Sequence, residues 1–151
     1  MAKLKMKSTV IEQKMIADGI GSMWLDAKEI AVQAKPGQFI SVYSNDKSRV
    51  LPRPISICEI DREKGTLRIV YRVVGKGTEE FSKAEAGDSF EILGPLGNGF
   101  PIEEAKGKKV LMIGGGIGVP PMLQTAKEIE GEAIIISGYR NQDLFLKEEL
   151  E

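Results

Sequence analysis

The chain has 151 residues but no histidine and only one cysteine, Cys58. A disulfide needs two cysteines, and a zinc site of the usual kind needs several cysteine or histidine ligands. Serine–histidine and cysteine–histidine nucleophiles are likewise excluded within this chain. Cys58 lies in an apolar alternation, which is typical of a packed strand residue. The composition is compatible with electron or hydride chemistry carried by a bound cofactor.

An excess of charge of one sign and a long apolar run are also lacking. The net charge of −1 offers no bulk attraction for nucleic acid or an anionic membrane. No apolar segment approaches the ~20 residues that cross a bilayer, and the start of the chain lacks the apolar region of a signal peptide. Since 42% of the residues are hydrophobic and 28% are charged, we expect a soluble, cytoplasmic protein without a nucleic-acid or membrane partner.

The first two thirds of the chain are rich in short β-like segments. About six alternating segments, from Lys7 to Leu93, are separated by turn residues, and one short helix is predicted over 78–84 with Thr78 as its N-cap. Gly94 to Gly99 is predicted to be a turn. This pattern is typical of an antiparallel barrel or sandwich.

The pattern changes after the predicted linker 102–107. Lys109 to Ile113 and Ala133 to Ser137 are buried-type strands, and a glycine turn and a helix over 119–130 lie between them. Strand, helix and strand predict a βαβ unit with parallel strands that need cover on both faces.

A final helix is predicted from Asp143 to Glu151, with Asn141 or Asp143 as its N-cap. The chain stops inside this helix, and one βαβ unit cannot cover both faces of a parallel sheet. We therefore expect a fragment of a longer protein in which residues 108–151 leave apolar sheet surface exposed and self-associate.

Arg53 and Pro54 are unusual in a strand. Proline removes a hydrogen-bond donor from the ladder, and a guanidinium needs an anion or a carboxylate. The sequence is compatible with a ligand anion at Arg53 and equally with a surface ion pair to an acidic side chain.

Two glycine segments have the composition of phosphate sites. Gly75 to Thr78 ends a strand and opens a helix, and Gly114 to Pro121 follows a buried strand and also opens a helix. Glycines allow a close approach of the backbone to a phosphate, and the amides at a helix N-terminus favour the negative charge. The alternative for each segment is a tight strand-to-helix turn that binds nothing.

Five motifs together resemble the ferredoxin–NADP reductase superfamily. In chain order they are Pro36–Phe39, Arg53–Ser56, Tyr71–Arg72 with Gly77–Thr78, Gly94–Gly97, and Gly116-x-Gly118-x-x-Pro121. The resemblance implies an antiparallel Greek-key β-barrel that binds FAD, over residues 1–103, followed by a partial Rossmann-like βαβ nucleotide domain, over 104–151.

The same resemblance implies the ligand contacts, and it implies no catalytic side chain and no metal ligand in this chain. Residues carried over to FAD are Arg53, Pro54, Ile55, Ser56, Val70, Tyr71, Arg72, Gly77 and Thr78. Residues carried over to NAD are Gly115, Gly116, Ile117, Gly118 and Val119. NAD against NADP stays open, since Tyr139 and Arg140 are compatible with a ribose or a 2′-phosphate.

Leu51–Ile57 and Gly94–Phe100 are most similar to one branch of this superfamily, the electron-transfer subunits of NAD-dependent dihydroorotate dehydrogenases of pyrimidine biosynthesis. This implies an FMN-containing catalytic partner subunit, with electrons passing through a 2Fe–2S centre and FAD to NAD+. The four cysteines of that centre are absent here. The alternatives are a flavin module of a hydrogenase, sulfide dehydrogenase or transhydrogenase complex, and an interaction module that binds no flavin.

Overall fold

A computed structural model describes residues 3–151 of the chain. Its first part is a closed barrel of six antiparallel strands in the order β1-β2-β5-β4-β3-β6. The predicted barrel is therefore confirmed. The strands are β1 (Leu4–Ala17), β2 (Ile20–Asp26), β3 (Phe39–Val42), β4 (Arg53–Asp61), β5 (Thr66–Arg72) and β6 (Ser89–Leu96).

Strand β1 closes the barrel because it pairs with two neighbours. Its first part, Leu4 to Thr9, pairs with β6, and its second part, Val10 to Ala17, pairs with β2. The change of partner coincides with a register irregularity after Val10, where a bend lets one strand serve both sheets. The β1–β2 turn contains Gly19 at a φ of +70°, which glycine adopts without strain.

Aromatic side chains fill the barrel interior at the end closed by helix α2 (Lys76–Ser82). Phe81 of this helix is fully buried and lies edge-on to Tyr71, with ring centroids 6.1 Å apart, and to Phe90, at 5.0 Å. Aliphatic residues of all six strands complete this core. A short helix α1 (Lys28–Ala31) packs Ile30 and Ala31 against the opposite part of the same core.

Two local predictions in the barrel were wrong. The N-cap of α2 is Gly75 and not Thr78, which is the third residue inside the helix. The Thr78 hydroxyl accepts a hydrogen bond from the Gly75 amide, at 3.2 Å, which is the half of a capping box that the third helical residue supplies. Gly94 to Leu96 belongs to strand β6 and is not a turn, and the Gly94–Pro95 peptide bond is cis.

The second part is a βαβ unit, as the sequence predicts. Strands β7 (Lys109–Gly115) and β8 (Glu132–Gly138) are parallel, and helix α3 (Pro120–Glu128) connects them. Helix α3 begins with two prolines, whose fixed φ suits the first turn of a helix and whose missing amides are not needed there.

The final helix is shorter than predicted. Helix α4 spans only Lys147–Leu150, and neither Asn141 nor Asp143 is its N-cap. The preceding residue, Leu146, has a φ of +64°, a conformation unusual for leucine. Phe145 and Leu146 are both buried, so the chain is held by their packing before the helix can begin.

A single apolar cluster joins the barrel to the βαβ unit. Helix α3 lies against the outer face of β4 and buries the barrel's Cys58 completely. The cluster contains Ile20, Cys58 and Val70 from the barrel, Met112, Val119, Met122 and Leu123 from the βαβ unit, and Phe145 and Leu146. Among residues 3–151, no helix is long and apolar enough to cross a membrane.

The predicted boundary between residues 103 and 104 falls inside a single 3₁₀ turn, Ile102–Ala105. The barrel strands precede this turn and the βαβ unit follows it. The division into two domains at that residue stays a prediction.

The sheet of the βαβ unit leaves one face open. Four aliphatic side chains on that face are between 47% and 71% exposed: Leu111, Ile113, Ile134 and Ile136. We expect the purified chain to self-associate through this face, so that its mass by light scattering rises with concentration. The double variant Ile113→Lys/Ile136→Lys should remain monomeric, whereas Ile11→Lys, at an exposed aliphatic residue of β1, should not alter association. A wild-type chain that stays monomeric at all concentrations would contradict this prediction.

Candidate nucleotide-binding site

The barrel has an open seam between β4 and β5. Their ladder covers only residues 57–61 and 66–69 and ends at the pair Ile57–Ile69. Beyond this pair, β4 continues to Arg53 against β3, and β5 continues to Arg72 against β2. The two strands therefore separate, and their facing edges are free to bind something other than each other.

Hydrogen-bond alternation explains why Pro54 is tolerated at this seam. The Ile57 amide donates toward β3, to the carbonyl of Gln38 at 3.0 Å, so the backbone of residue 54 points to the other side, into the seam. Proline there removes a donor that would have no ladder partner. The Val73 amide donates to Gly19 of the β1–β2 turn, so by the same alternation the amide of Arg72 faces the seam from β5.

Arg53 lies at the mouth of the seam against helix α2. A Cβ atom added at Gly77 would lie only 3.0 Å from Arg53 Nε, so the absence of a side chain at Gly77 makes room for the guanidinium. In the part of the chain that the structure describes, no carboxylate lies within 4.0 Å of Arg53. Arg53 Nη1 donates a long hydrogen bond, 3.5 Å, to the Leu51 carbonyl. The surface ion pair considered from the sequence is therefore not formed.

Arg49, which the sequence did not single out, contacts the same helix as Arg53. Arg49 donates from Nη1 to the carbonyl of Lys76 at 3.0 Å, which ties the loop before β4 to the first turn of α2. Arg49 also pairs with Asp46 at 3.5 Å. The available signal was a second arginine four residues before Arg53.

The start of α2 is ordered by Thr78. Its hydroxyl accepts from the amides of Val74, at 2.9 Å, and Gly75, and donates to the Gly75 carbonyl at 3.1 Å. The next amides, of residues 76–78, belong to the first turn of the helix and have no acceptor within it. The Thr78 side chain thus orders the turn. The backbone amides of residues 76–78 point out of the N-terminal end of the helix.

The predicted FAD residues of the two strands divide between two faces. Ile55 and Tyr71 point into the barrel, where the Tyr71 hydroxyl donates to Gln13 at 2.8 Å and burial raises the pKa of Tyr71. Ser56, Val70 and Arg72 point outward, toward the βαβ unit. Any contact of residue 71 with a nucleotide therefore involves its backbone rather than its ring.

The glycine turn of the βαβ unit is compact for identifiable reasons. A Cβ atom at Gly114 would lie 2.9 Å from both the Gly118 carbonyl oxygen and the Met122 sulfur. Gly116 has a φ of +54°, in the left-handed region that favours glycine. In contrast, Cβ atoms at Gly115 and Gly118 would meet nothing within 4 Å, so the backbone at these residues is open to a ligand.

The seam and the glycine turn face each other. Arg72 Nη2 lies 3.8 Å from the position of a Cβ on Gly116, and Val70 packs in the same cluster as the buried Val119. Ile117 is 42% exposed and lies in the turn. The structure thus brings Val70 and Arg72 of the predicted FAD residues to the glycine turn, at Gly116 and Val119. Their binding of nucleotides stays a prediction.

A buried charge network, which the sequence did not reveal, links β4, β5, α3 and α4. Arg68 on β5, which is 5% exposed, pairs with Glu59 on β4 and with Glu149 on α4, each at 2.6 Å. The second carboxylate oxygen of Glu59 pairs with Lys127 of α3 at 2.5 Å. The signal was an arginine in the middle of the apolar strand β5, which requires a buried partner.

Comparison with known families identifies the barrel. The family model for the oxidoreductase FAD-binding domain matches residues 5–100, which is most of the chain. The chain belongs to this family. The matched residues correspond to the six-stranded barrel. The resemblance to the ferredoxin–NADP reductase superfamily predicted from the motifs is confirmed.

Curated relatives of this flavin-domain protein carry one name, dihydroorotate dehydrogenase B (NAD(+)), electron transfer subunit. The relative from Streptococcus mutans is 45% identical over 150 residues, which are 97% of this chain and 58% of that protein. The relative from Bacillus caldolyticus is 41% identical over 125 residues, 82% of this chain and 49% of that protein. The chain thus spans little more than half the length of the curated relatives it matches.

Solved structures agree on the fold. An NADH-dependent reduced ferredoxin–NADP oxidoreductase superposes with a TM-score of 0.84 at 30% identity, over 95% of this chain and 52% of that one. Phthalate dioxygenase reductase superposes with a TM-score of 0.76 at 22% identity, over 97% and 47% of the two chains, which shows a shared fold alone.

The residues present fit a flavin and a dinucleotide but not an iron–sulfur centre. The seam with Arg53 and the space over Gly77 suit a diphosphate, and the glycine turn suits a second one. Cys58 is the single cysteine, it is buried, and burial raises the pKa of its thiol to about 12. Residues 3–151 contain no group of three or more acidic or cysteine side chains that could hold a metal ion.

The charge network predicts an acid-labile fold. Burial raises the pKa of Glu59, but hydrogen bonds from Lys127 and Arg68 outweigh it and hold the pKa below its ordinary value of 4.5. A lowered folded-state pKa stabilises the fold above the unfolded-state value, and this stabilisation is lost as the pH falls through the folded-state value. We expect the free energy of unfolding, measured by urea titration, to fall below pH 4.5 less steeply in Glu59→Gln than in the wild type. Glu91→Gln, at an exposed pair with Lys5, is the control and should keep the wild-type slope; equal slopes in all three proteins would contradict the assignment.

Proposed function

We propose that this chain is the flavin-binding part of an electron-transfer subunit of an NAD-dependent dihydroorotate dehydrogenase in the cytoplasm. In this role FAD lies in the seam between β4 and β5, and NAD(H) binds at the glycine turn after β7. The observation that carries the proposal is the unpaired Arg53 guanidinium beside Gly77, at the mouth of a seam that faces the glycine turn.

The residues divide the work of binding by their positions. Arg53 contributes a charge-assisted contact to the FAD diphosphate, and the amides at the start of α2, held by Thr78, contribute hydrogen bonds to it. Ser56 and Val70 line the outer side of the seam, where a flavin ring faces the βαβ unit. Arg72 lies between the seam and the turn, within reach of either nucleotide.

FAD, when bound, supplies hydride exchange with a nicotinamide and single-electron exchange with other centres. The protein's own contribution is to hold two nucleotides at facing sites and to keep water out of the space between them. No side chain here acts as an acid or base, which agrees with the absence of histidine.

The partner we propose is an FMN-containing dihydroorotate dehydrogenase catalytic subunit, in agreement with the name shared by the curated relatives. An iron–sulfur centre between the two flavins is not provided by this chain, which has one cysteine. Co-elution of the chain with the catalytic subunit encoded in the same genome tests the partnership, and two separate elution peaks would contradict it.

A second candidate is a flavin module of another NAD(P)H-linked complex. The 30% identity to an NADH-dependent reduced ferredoxin–NADP oxidoreductase favours it. Co-elution with the subunits of such a complex, and not with a dihydroorotate dehydrogenase, would decide for this candidate.

The first prediction from this proposal concerns Arg53. Arg53→Ala should weaken FAD binding by about 1.5–3 kcal/mol, or roughly 10- to 150-fold in Kd, because a charge-assisted contact to phosphate is lost. The Kd of Arg53→Lys for FAD should lie between those of Arg53→Ala and the wild type, since lysine keeps the charge but lacks the planar guanidinium group. Titration followed by flavin fluorescence measures the Kd. Lys64→Ala, in the exposed turn after β4, is the control, and an unchanged Kd in Arg53→Ala would refute the assignment.

The second prediction compares Gly75 and Gly77, the two glycines at the start of helix α2. Gly77→Ala should weaken FAD binding several-fold, because its Cβ would lie 3.0 Å from Arg53 Nε and would displace the guanidinium. Gly75→Ala is matched to it, since Gly75 has a φ of −177° and a Cβ there meets nothing within 4 Å. The same FAD titration should therefore separate the two variants, and equal affinities would show that the space over Gly77 has no part in binding.

A further inference from the structure

Strand β4 has two ends with different neighbours. Its first residues, Arg53 to Ser56, line the seam, and its last residues, Glu59 to Asp61, lie along helix α3. Helix α3 in turn begins directly after the glycine turn. One strand is therefore connected to both candidate nucleotide sites, by its own residues at one end and through a helix at the other.

The contact between β4 and α3 is polar at its centre, although apolar side chains surround it. Gln124 of α3 is 5% exposed, and its Oε1 accepts a hydrogen bond from the Ile60 amide at 2.8 Å. Its Nε2 donates to Glu128 at 2.7 Å. Strand β3 does not extend as far as Ile60, so the Gln124 side chain takes the place of a strand partner for the Ile60 amide. This hydrogen bond fixes the position of α3 along β4, because Gln124 accepts from this one amide of the strand.

A second link lies one turn further along the helix. Glu59 accepts from Arg68 with one carboxylate oxygen, at 2.6 Å, and from Lys127 with the other, at 2.5 Å. The Glu59 side chain is 13% exposed, while Lys127 reaches it from the surface with a side chain that is 52% exposed. Together the contacts of Glu59 and Gln124 with their partners form what we name the β4–α3 clamp.

The clamp lies close to the glycine turn. Gln124 follows Gly118 by six residues, which is about 9 Å along a helix. A short helix moves nearly as a rigid body. The contacts of α3 with β4 therefore also determine the position of the glycine turn at the start of the helix. We propose that Glu59 and Gln124 are positioning residues that set the glycine turn opposite the seam.

The functional consequence of this placement rests on the proposed function, but the placement itself requires no nucleotide. Cys58 provides a direct measure of it. This thiol is the chain's single cysteine, it is fully buried, and it belongs to the apolar cluster that contains Val119, Met122 and Leu123 of the turn and α3, the helix that packs on its strand. A thiol reagent therefore reacts only when α3 moves away from β4.

The test is the rate of Cys58 labelling by a disulfide reagent in the full chain without added nucleotide. We expect Glu59→Gln and Gln124→Met to react at least tenfold faster than the wild type under conditions in which thermal melting shows all of them folded. Glu132→Gln, which removes an exposed ion pair with Lys109 within the βαβ unit, should react at the wild-type rate.

A second readout separates positioning from general destabilisation. Amide hydrogen exchange should increase at the glycine turn and α3 in both variants but not in the β1–β2 hairpin, and FAD affinity should remain that of the wild type. Wild-type labelling rates in both folded variants would overturn the proposal, as would a rise in exchange across the whole barrel. A wild-type chain that binds no FAD while the labelling difference persists would refute the proposed function and leave the positioning role intact.

Discussion

The early end of the ladder between β4 and β5 is the constraint on which the site depends. If these strands paired over their full length, Pro54 would remove a hydrogen-bond donor that the ladder needs. The backbone groups of Arg53–Ser56 and Val70–Arg72 would then bond each other and could not bind a ligand. Because pairing ends at Ile57–Ile69, the barrel stays closed at its other contacts and still offers an open edge. At this edge Arg53 lies against Gly77, and Arg72 lies against Gly116 of the glycine turn.

The fold could be predicted because its signals are local. Alternating apolar residues, turn glycines and a buried strand before the glycine turn each depend on a few neighbouring residues. The errors had two kinds of cause. At α2 the cause is local, since the N-cap is Gly75 and the Thr78 hydroxyl accepts from the Gly75 amide. At α4 the cause is a distant contact, since burial of Phe145 and Leu146 against the barrel delays the helix beyond Asn141 and Asp143.

For the site, motif order selected Val70, Arg72 and the glycine turn, which do lie together, but it could not show that Tyr71 faces the barrel interior while its two neighbours face the turn. The network of Arg68, Glu59 and Lys127 was missed because its members lie on three separate elements. The network carries charge into the apolar junction and joins β4, β5, α3 and α4.

The most direct test of the central claim is hydrogen exchange of the chain with and without FAD, followed by mass spectrometry of overlapping peptides. Binding in the seam predicts slower exchange at the amides of Val70–Arg72 and of Lys76–Thr78, with no change in the β1–β2 hairpin. Failure to bind FAD, or protection confined to any other part of the barrel, would contradict it.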